Sequence, residues 1–471
     1  MTASQSSQNT TGGGRAHTDL GTGLKTRHLT MMGLGSAIGA GLFLGTGVGI
    51  RVAGPAVLLA YLAAGVIVVL VMEMLGEMAA ARPSSGSFST YAKHAFGRWA
   101  GFTMGWLYWF MLTMVMGAEM TGAAAIMGGW FGVDPWIPAL VSVVFFAVVN
   151  FAAVKGFGEF EFWFAFIKVA VIIAFLIIGA ALVLGWLPGV EPVGLDNIVG
   201  GVGFMPNGWP GLAAGLLAVA FAFGGIELVT IAAAESEKPA EAIAVAVRSV
   251  IWRIAVFYIG SVLVIALLLP YDQLGAADTA AESPFTAVLA MANIPGVVGF
   301  MEAVIVLALL SAFNAQIYGT SRLVYSLALD RDAPRIFAVT NRDSVPINAV
   351  VLSMIFAFAS VGLQYWNPEG LLSFLLNAVG GCLIVIWIMI TASYLRLHPR
   401  MEELGEISTV RMWGWPWLAW LTMLALWALV VLMLFDPTAR SQVLSVVVVV
   451  AVLICLAKLT AWVQGRVSSR P

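Results

Sequence analysis

The chain has 471 residues, 61% of them apolar and only 10% charged, with a mean hydropathy of +0.95 and a net charge of −2. Soluble domains carry about 25% charge, so this composition excludes a soluble fold and describes an all-α, polytopic integral membrane protein. The near-zero net charge argues against nucleic acid as a partner. Cys382 and Cys455 lie far apart in apolar runs, and His17, His28, His94 and His398 fall outside the predicted spans. No disulfide framework, cysteine metal motif or intramembrane haem or zinc ligand set is expected, so neither cofactor nor metal is expected.

Residues 1–24 are rich in Ser, Thr, Gln and Gly and contain no apolar core. They read as a disordered cytoplasmic tail and not as a signal peptide. A bilayer-crossing helix needs roughly 20 apolar residues. Twelve such runs follow, at 30–50, 55–80, 100–127, 134–154, 160–186, 210–234, 249–270, 296–327, 347–366, 370–395, 414–435 and 441–462. Residues 463–471 form a second short tail.

The first run contains Gly33-Leu34-Gly35-Ser36-Ala37-Ile38-Gly39-Ala40-Gly41-Leu42-Phe43. A glycine inside a helix costs about 1 kcal/mol relative to alanine, so four in eleven residues predict a helix that breaks. A break at membrane depth frees backbone N–H and C=O groups that lipid cannot satisfy, and it is tolerated only where it lines a cavity or is buried in protein. Ser36, Ala37, Ile38, Gly39, Ala40 and Gly41 are therefore candidate ligand contacts, with close helix packing through small residues as the alternative. The sixth run carries the second interruption, Ala220-Phe221-Ala222-Phe223-Gly224-Gly225-Ile226-Glu227.

Between the runs, twenty of the 23 lysines and arginines fall in the two tails and in the loops after runs two, four, six, eight and ten, the loop after run six being assigned Lys238, Arg248 and Arg253. The other side holds only Arg51 and Arg440, while Lys168 lies within run five. The positive-inside rule then places both termini in the cytoplasm. Runs one and six are five apart and begin on opposite sides, the pattern of two inverted five-helix repeats. The expected divisions are 25–186 for the first repeat, 210–396 for the second and 411–462 for two additional helices.

Ionisable residues within the membrane are costly and commonly functional. Glu119 lies in run three, Lys168 in run five, Glu227 just after the second break and Glu302 early in run eight. Desolvation disfavours the charged form of a buried lysine, which makes Lys168 a candidate proton carrier; a fixed ion pair is the alternative. Glu119 and Glu227 either help to hold a substrate amine or join helices. Phe221, beside the second break, could close over a substrate or contact its amine. Asn314, Gln316 and Asn377 are polar at membrane depth and either line a cavity or join helices. Glu73 and Glu77 sit near a helix end and read as interfacial, and Glu235 and Glu237 as interfacial groups or gate partners.

Several of these stretches resemble the amino acid–polyamine–organocation superfamily. Gly35-Ser36-Ala37-Ile38-Gly39-Ala40-Gly41-Leu42-Phe43 resembles the opening motif of its amino-acid permeases. Glu73-Met74-Leu75-Gly76-Glu77-Met78 with Pro83-Ser84-Ser85-Gly86-Ser87-Phe88-Ser89-Thr90-Tyr91, and Gly225 through Pro239, resemble signatures of its bacterial amino acid transporter branch. The resemblance runs in matching order over residues 25–460. It implies a LeuT-like fold of twelve transmembrane helices, in two inverted five-helix repeats plus two, in the bacterial cytoplasmic membrane. It also implies secondary active uptake of an amino acid. The first break would hold the substrate carboxylate and amine; Ala222, Phe223 and Gly225 would offer carbonyls to the amine, and Phe221 would gate. Lys168 would take the place of a sodium ion, with a proton as coupling ion. Arg411–Leu418 and Phe374–Asn377 resemble γ-aminobutyrate permeases, which ranks γ-aminobutyrate first among neutral substrates. Other members of the branch carry proline, aromatic amino acids, or glycine, alanine and D-serine, and these remain as other substrates, with an uncoupled exchanger or facilitator as another mechanism. No HExxH motif, Ser–His pairing or intramembrane histidine supports an enzyme.

Overall fold

The computed structural model describes residues 38–84, 86–152, 157–188, 191–200, 203–227, 230, 238–271, 283–341, 345–366, 368, 370–407 and 410–468. Ser36 and Ala37 of the first break, Glu235 and Glu237, and the tail 1–24 lie outside them. Every regular element among the described residues is helical.

Among the described residues, eight helical segments are long and apolar enough to cross a membrane: Gly41–Ala81, Arg98–Phe131, Phe162–Val183, Pro239–Leu268, Val297–Leu329, Ile347–Trp366, Leu371–Glu403 and Ala439–Trp462. The individual helices are α1 (Thr46–Ala53), α2 (Val57–Ala81), α3 (Ser87–Phe96), α4 (Arg98–Phe131), α5 (Trp136–Ala152), α6 (Phe157–Val183) and α7 (Gly208–Ala222). They continue as α8 (Pro239–Trp252), α9 (Ser261–Leu268), α10 (Pro284–Met291), α11 (Val297–Leu329), α12 (Ile347–Trp366), α13 (Leu371–Glu403), α14 (Trp417–Met433) and α15 (Pro437–Ser468). Each of the twelve apolar runs contains at least part of one of these helices.

The three longest helices, α4, α11 and α13, run through the interior. α4 packs along α11, α13 and α3, while α1 lies beside α7, and α7 packs on α13. α14 and α15 lie at the periphery, where Trp417, Trp420, Trp427 and Trp462 are exposed on surfaces that lipid would cover.

One helix differs from its expected bounds in a way that matters. The seventh run begins at Pro239 and not near 249, because a proline at the first helical position with Glu241 in the first turn is a strong start signal. Glu241, Arg248 and Arg253 lower the hydropathy of this opening stretch, so it reads as a loop. Arg253 consequently lies inside the helical path, 1% exposed, at the first residue of a π-helical stretch, Arg253–Gly260, that joins α8 to α9. Its assignment to a cytoplasmic loop is corrected. His398, assigned outside the spans, is likewise fully buried within α13.

Candidate functional site

The first break is formed by a carbonyl with two donors. The Gly39 C=O accepts the N–H groups of both Leu42 and Phe43, each at 3.2 Å, and a π-helical turn, Gly41–Gly45, leads into α1. The second break follows α7. Phe223 N–H returns to the Ala220 C=O at 3.1 Å and Gly224 N–H to the Phe221 C=O at 2.9 Å. Gly225 then adopts φ +90°, a conformation that side chains disfavour and glycine tolerates. The two breaks touch backbone to backbone: a β-carbon on Gly41 would lie 2.6 Å from the Ala222 Cα and 3.1 Å from the Phe221 carbonyl oxygen. Two glycine interruptions 180 residues apart in sequence thus meet at one point.

Between them is a small void lined by Gly39, Gly41, Val115, Glu119, Phe221, Ala222, Gly224 and Gln316. At about 10 Å³ it has room for one water molecule. Glu119, from the middle of α4, reaches into the first break: the Ala40 N–H donates to both of its carboxylate oxygens, at 3.1 and 3.0 Å. Lys168, in α6, is 0% exposed, and its charge acts on Glu119. The first break, Glu119 and Lys168 therefore form one electrostatic unit drawn from three helices.

Glu227 serves the second break. Its carboxylate accepts the Gly225 N–H at 3.2 Å and the Trp387 indole N–H at 2.9 Å, and its C=O accepts the N–H and hydroxyl of Thr230. It ties the turn after α7 to α13. Arg253 and Glu227 also act on each other electrostatically, yet none of the three guanidinium nitrogens of Arg253 makes a hydrogen bond.

The other sequence candidates divide. Ile38 and Ala40 are fully buried within the first break. Phe221 lines the void, with its ring edge also beside Gly45. Phe223 turns away to an aromatic cluster, 4.9 Å from Tyr258 and 5.8 Å from Tyr61. Tyr61 in turn shares a hydrogen bond with the Thr46 hydroxyl at 2.9 Å. Asn314 is not among the lining residues; it accepts the Asn150 amide at 2.8 Å and so joins α11 to α5. Glu302, near the start of α11, accepts the Trp130 indole N–H at 2.8 Å.

Glu77, read as interfacial, is instead 1% exposed. One oxygen pairs with His398 Nδ1 at 2.6 Å; the other accepts the Tyr394 hydroxyl at 3.0 Å and the Met412 N–H at 2.7 Å. Val115, Trp387 and Arg253 were not singled out from sequence, since each acquires its place only when helices distant along the chain meet.

A family model described as "Amino acid permease" matches residues 28–469. The chain is 73% identical over 446 residues to the aromatic amino acid transport protein AroP of Corynebacterium glutamicum, covering 95% of this chain and 96% of that protein. It is 41% identical over 433 residues to the gamma-aminobutyric acid permease of Bacillus subtilis, with 92% of both chains covered. It is 36% identical over 420 residues to AroP of Escherichia coli K12, covering 88% and 90%. A match along nearly the whole chain, joined to a helical structure with several membrane-crossing segments, identifies a transporter and not an enzyme: the chain belongs to the amino acid permease family of the amino acid–polyamine–organocation superfamily.

Proposed function

We propose that the protein is a proton-coupled importer of aromatic amino acids that works by alternating access around the two broken helices. The observation that carries the transport reading is the convergence of both breaks, Glu119 and the void at Gly41 and Ala222. The substrate class rests on similarity: the relative named for aromatic amino acids is 73% identical and the one named for γ-aminobutyrate 41%. That ordering reverses the ranking drawn from short motifs.

Twelve transmembrane helices, in two inverted five-helix repeats with α14 and α15 appended and both termini cytoplasmic, form the architecture of this reading. The charge asymmetry and the five-run spacing of the breaks support it. Moving Arg253 out of the cytoplasmic count leaves nineteen positive residues against two, so the orientation stands. The first repeat would span 25–186 and the second 210–396.

In the mechanism, the substrate carboxylate meets backbone N–H groups at the first break, where a helix start presents its positive dipole end. The ammonium meets carbonyls of Phe221 and Ala222 at the second break and lies near the Glu119 carboxylate. A void of about 10 Å³ is far smaller than an amino acid, so the runs bearing α1, α2, α7 and α8 must part from those bearing α4, α5, α6, α11, α12 and α13 on one side to admit it and on the other to release it. Lys168 exchanges a proton in that cycle, and its occupancy biases the two states. Competition by unlabelled tryptophan, tyrosine, phenylalanine, proline and γ-aminobutyrate against labelled phenylalanine uptake, in proteoliposomes holding the purified chain, tests the substrate. Competition by the three aromatic residues alone is expected. Competition by γ-aminobutyrate alone, or the absence of phenylalanine uptake, overturns the reading.

A further inference from the structure

Gln316 is a buried amide that the transport reading leaves unused. It lies in the middle of α11, is 2% exposed and lines the void between the breaks. Its main chain is anchored: the Thr320 hydroxyl donates to the Gln316 C=O at 2.7 Å and to the Ser353 hydroxyl at 2.8 Å, which ties this turn to α12. Asn314, two positions earlier, uses its side chain as a helix joint. The Gln316 side-chain oxygen has no hydrogen-bond partner. A buried acceptor left unpaired is unfavourable, and native structures hold one where water or a ligand satisfies it.

The position of Gln316 defines what that ligand group would be. The breaks offer main-chain groups, which suit the carboxylate and ammonium that all α-amino acids share. The Glu119 oxygens already accept the Ala40 N–H. Apart from the breaks themselves, the void is lined by Val115 and Glu119 of α4 and by Gln316 of α11, so a substrate side chain directed away from the breaks meets one apolar side chain and one uncharged polar side chain. An acceptor in a part-apolar lining selects a ring that carries a donor on its edge. The indole N–H of tryptophan and the phenol O–H of tyrosine are such donors; phenylalanine has none.

We infer that Gln316 is the residue that sets preference among aromatic substrates, its side-chain oxygen accepting the indole N–H of tryptophan or the hydroxyl of tyrosine. This rests on the aromatic reading above. A site built to bond a donor discriminates against the analogue that lacks it, because its own buried group is then left unpaired.

The test compares proteoliposomes of the full chain and of Gln316→Met and Gln316→Leu for uptake of labelled tryptophan, tyrosine and phenylalanine. In both variants KM for tryptophan and tyrosine should rise about tenfold and KM for phenylalanine change by less than about twofold. A measurement on the unmodified protein covers the case of variants that fail to fold: β-(3-benzothienyl)alanine, a tryptophan shape with sulfur in place of the N–H, should compete about tenfold more weakly than tryptophan. Equal competition by tryptophan and the benzothienyl compound overturns the inference, as do variants that fold with an unchanged detergent melting temperature and lose all three substrates alike. Phenylalanine uptake that persists alongside either result leaves the aromatic reading standing. A protein that carries γ-aminobutyrate and no aromatic substrate overturns both.

Discussion

Two helix-forming glycines, one buried at the breaks and one exposed near the end of α4, should respond in opposite ways to an added methyl group. At Gly41 the new β-carbon would press on the backbone of the second break, 2.6 Å from the Ala222 Cα, where no flexible side chain can yield. Overpacking of this kind costs about 1–3 kcal/mol, and here it also forces the half-sites apart. Gly41→Ala should lower aromatic amino acid uptake at least about tenfold, because small displacements of positioned groups cost that much. At Gly129, near the end of α4, a β-carbon meets nothing within 4 Å. Gly129→Ala should leave uptake unchanged and raise the melting temperature slightly, since alanine is the better helix former. Uptake assays matched for protein amount, with thermal unfolding in detergent, check both; a harmless Gly41→Ala would mean that the breaks do not form the site. Gly39 is a third case: its β-carbon would press on the Glu119 carboxylate, so Gly39→Ala should resemble Glu119→Gln more than Gly41→Ala in its effect on uptake.

Between elements, the strongest polar joints hold helices that are far apart in sequence. Glu77 links α2 to Tyr394 and His398 of α13 and to the backbone of Met412, while the Arg82 guanidinium, one residue beyond α2, makes paired bonds to Glu406 at 2.8 and 3.0 Å. The partly exposed Arg82 pair is worth at most about 1 kcal/mol, whereas truncating Glu77 strands several buried donors and should cost about 3 kcal/mol. Glu77→Ala should therefore lower the detergent melting temperature far more than Arg82→Ala; a reversed order would show that the buried cluster is dispensable. A second clamp joins the α3–α4 junction to the loop after α11: Lys93 pairs with Asp330 at 2.6 Å and Arg98 with Asp332 at 2.7 Å. Burial pushes the Asp332 carboxyl above its usual range, and the Arg98 hydrogen bond pulls it back. With the folded value raised, a proton binds the folded state more readily than the unfolded one, so this carboxyl costs stability at neutral pH, and the cost fades as pH falls through its folded value toward its unfolded one. These joints also explain what could be seen in the sequence. Both breaks were legible because glycine and the five-run spacing are local signals. The buried state of Glu77 was not, because its partners lie more than 300 residues away and a glutamate near a helix end looks interfacial. The start of α8 was hidden because Lys238, Glu241 and Arg248 lower the mean hydropathy of its opening stretch, and Arg253 was counted with those loop charges although its side chain is buried.

For the whole molecule, the proposed proton coupling has a definite sign. A neutral amino acid that enters with one proton carries a net positive charge inward, so uptake should respond to a pH gradient acidic outside and to a potential negative inside. One pH unit corresponds to about 1.36 kcal/mol, so a two-unit gradient drives at most about a hundredfold accumulation for one proton per substrate. Lys168 is fully buried and its charge acts on Glu119 beside the first break, so in the proposed cycle its proton occupancy would bear on the geometry of the site. Lys168→Ala removes the group that would exchange the proton but leaves both breaks in place. In proteoliposomes with an acidic exterior, the unmodified protein should accumulate labelled phenylalanine above equilibrium and lose that accumulation on addition of a protonophore. The Lys168→Ala protein should equilibrate phenylalanine and exchange it against internal phenylalanine without concentrating it. Exchange retained without concentration separates a coupling residue from one needed for folding, because a misfolded protein would do neither. Full accumulation by Lys168→Ala would remove Lys168 from the coupling mechanism, and uptake by the unmodified protein that ignores the gradient would assign the chain to the uncoupled exchangers.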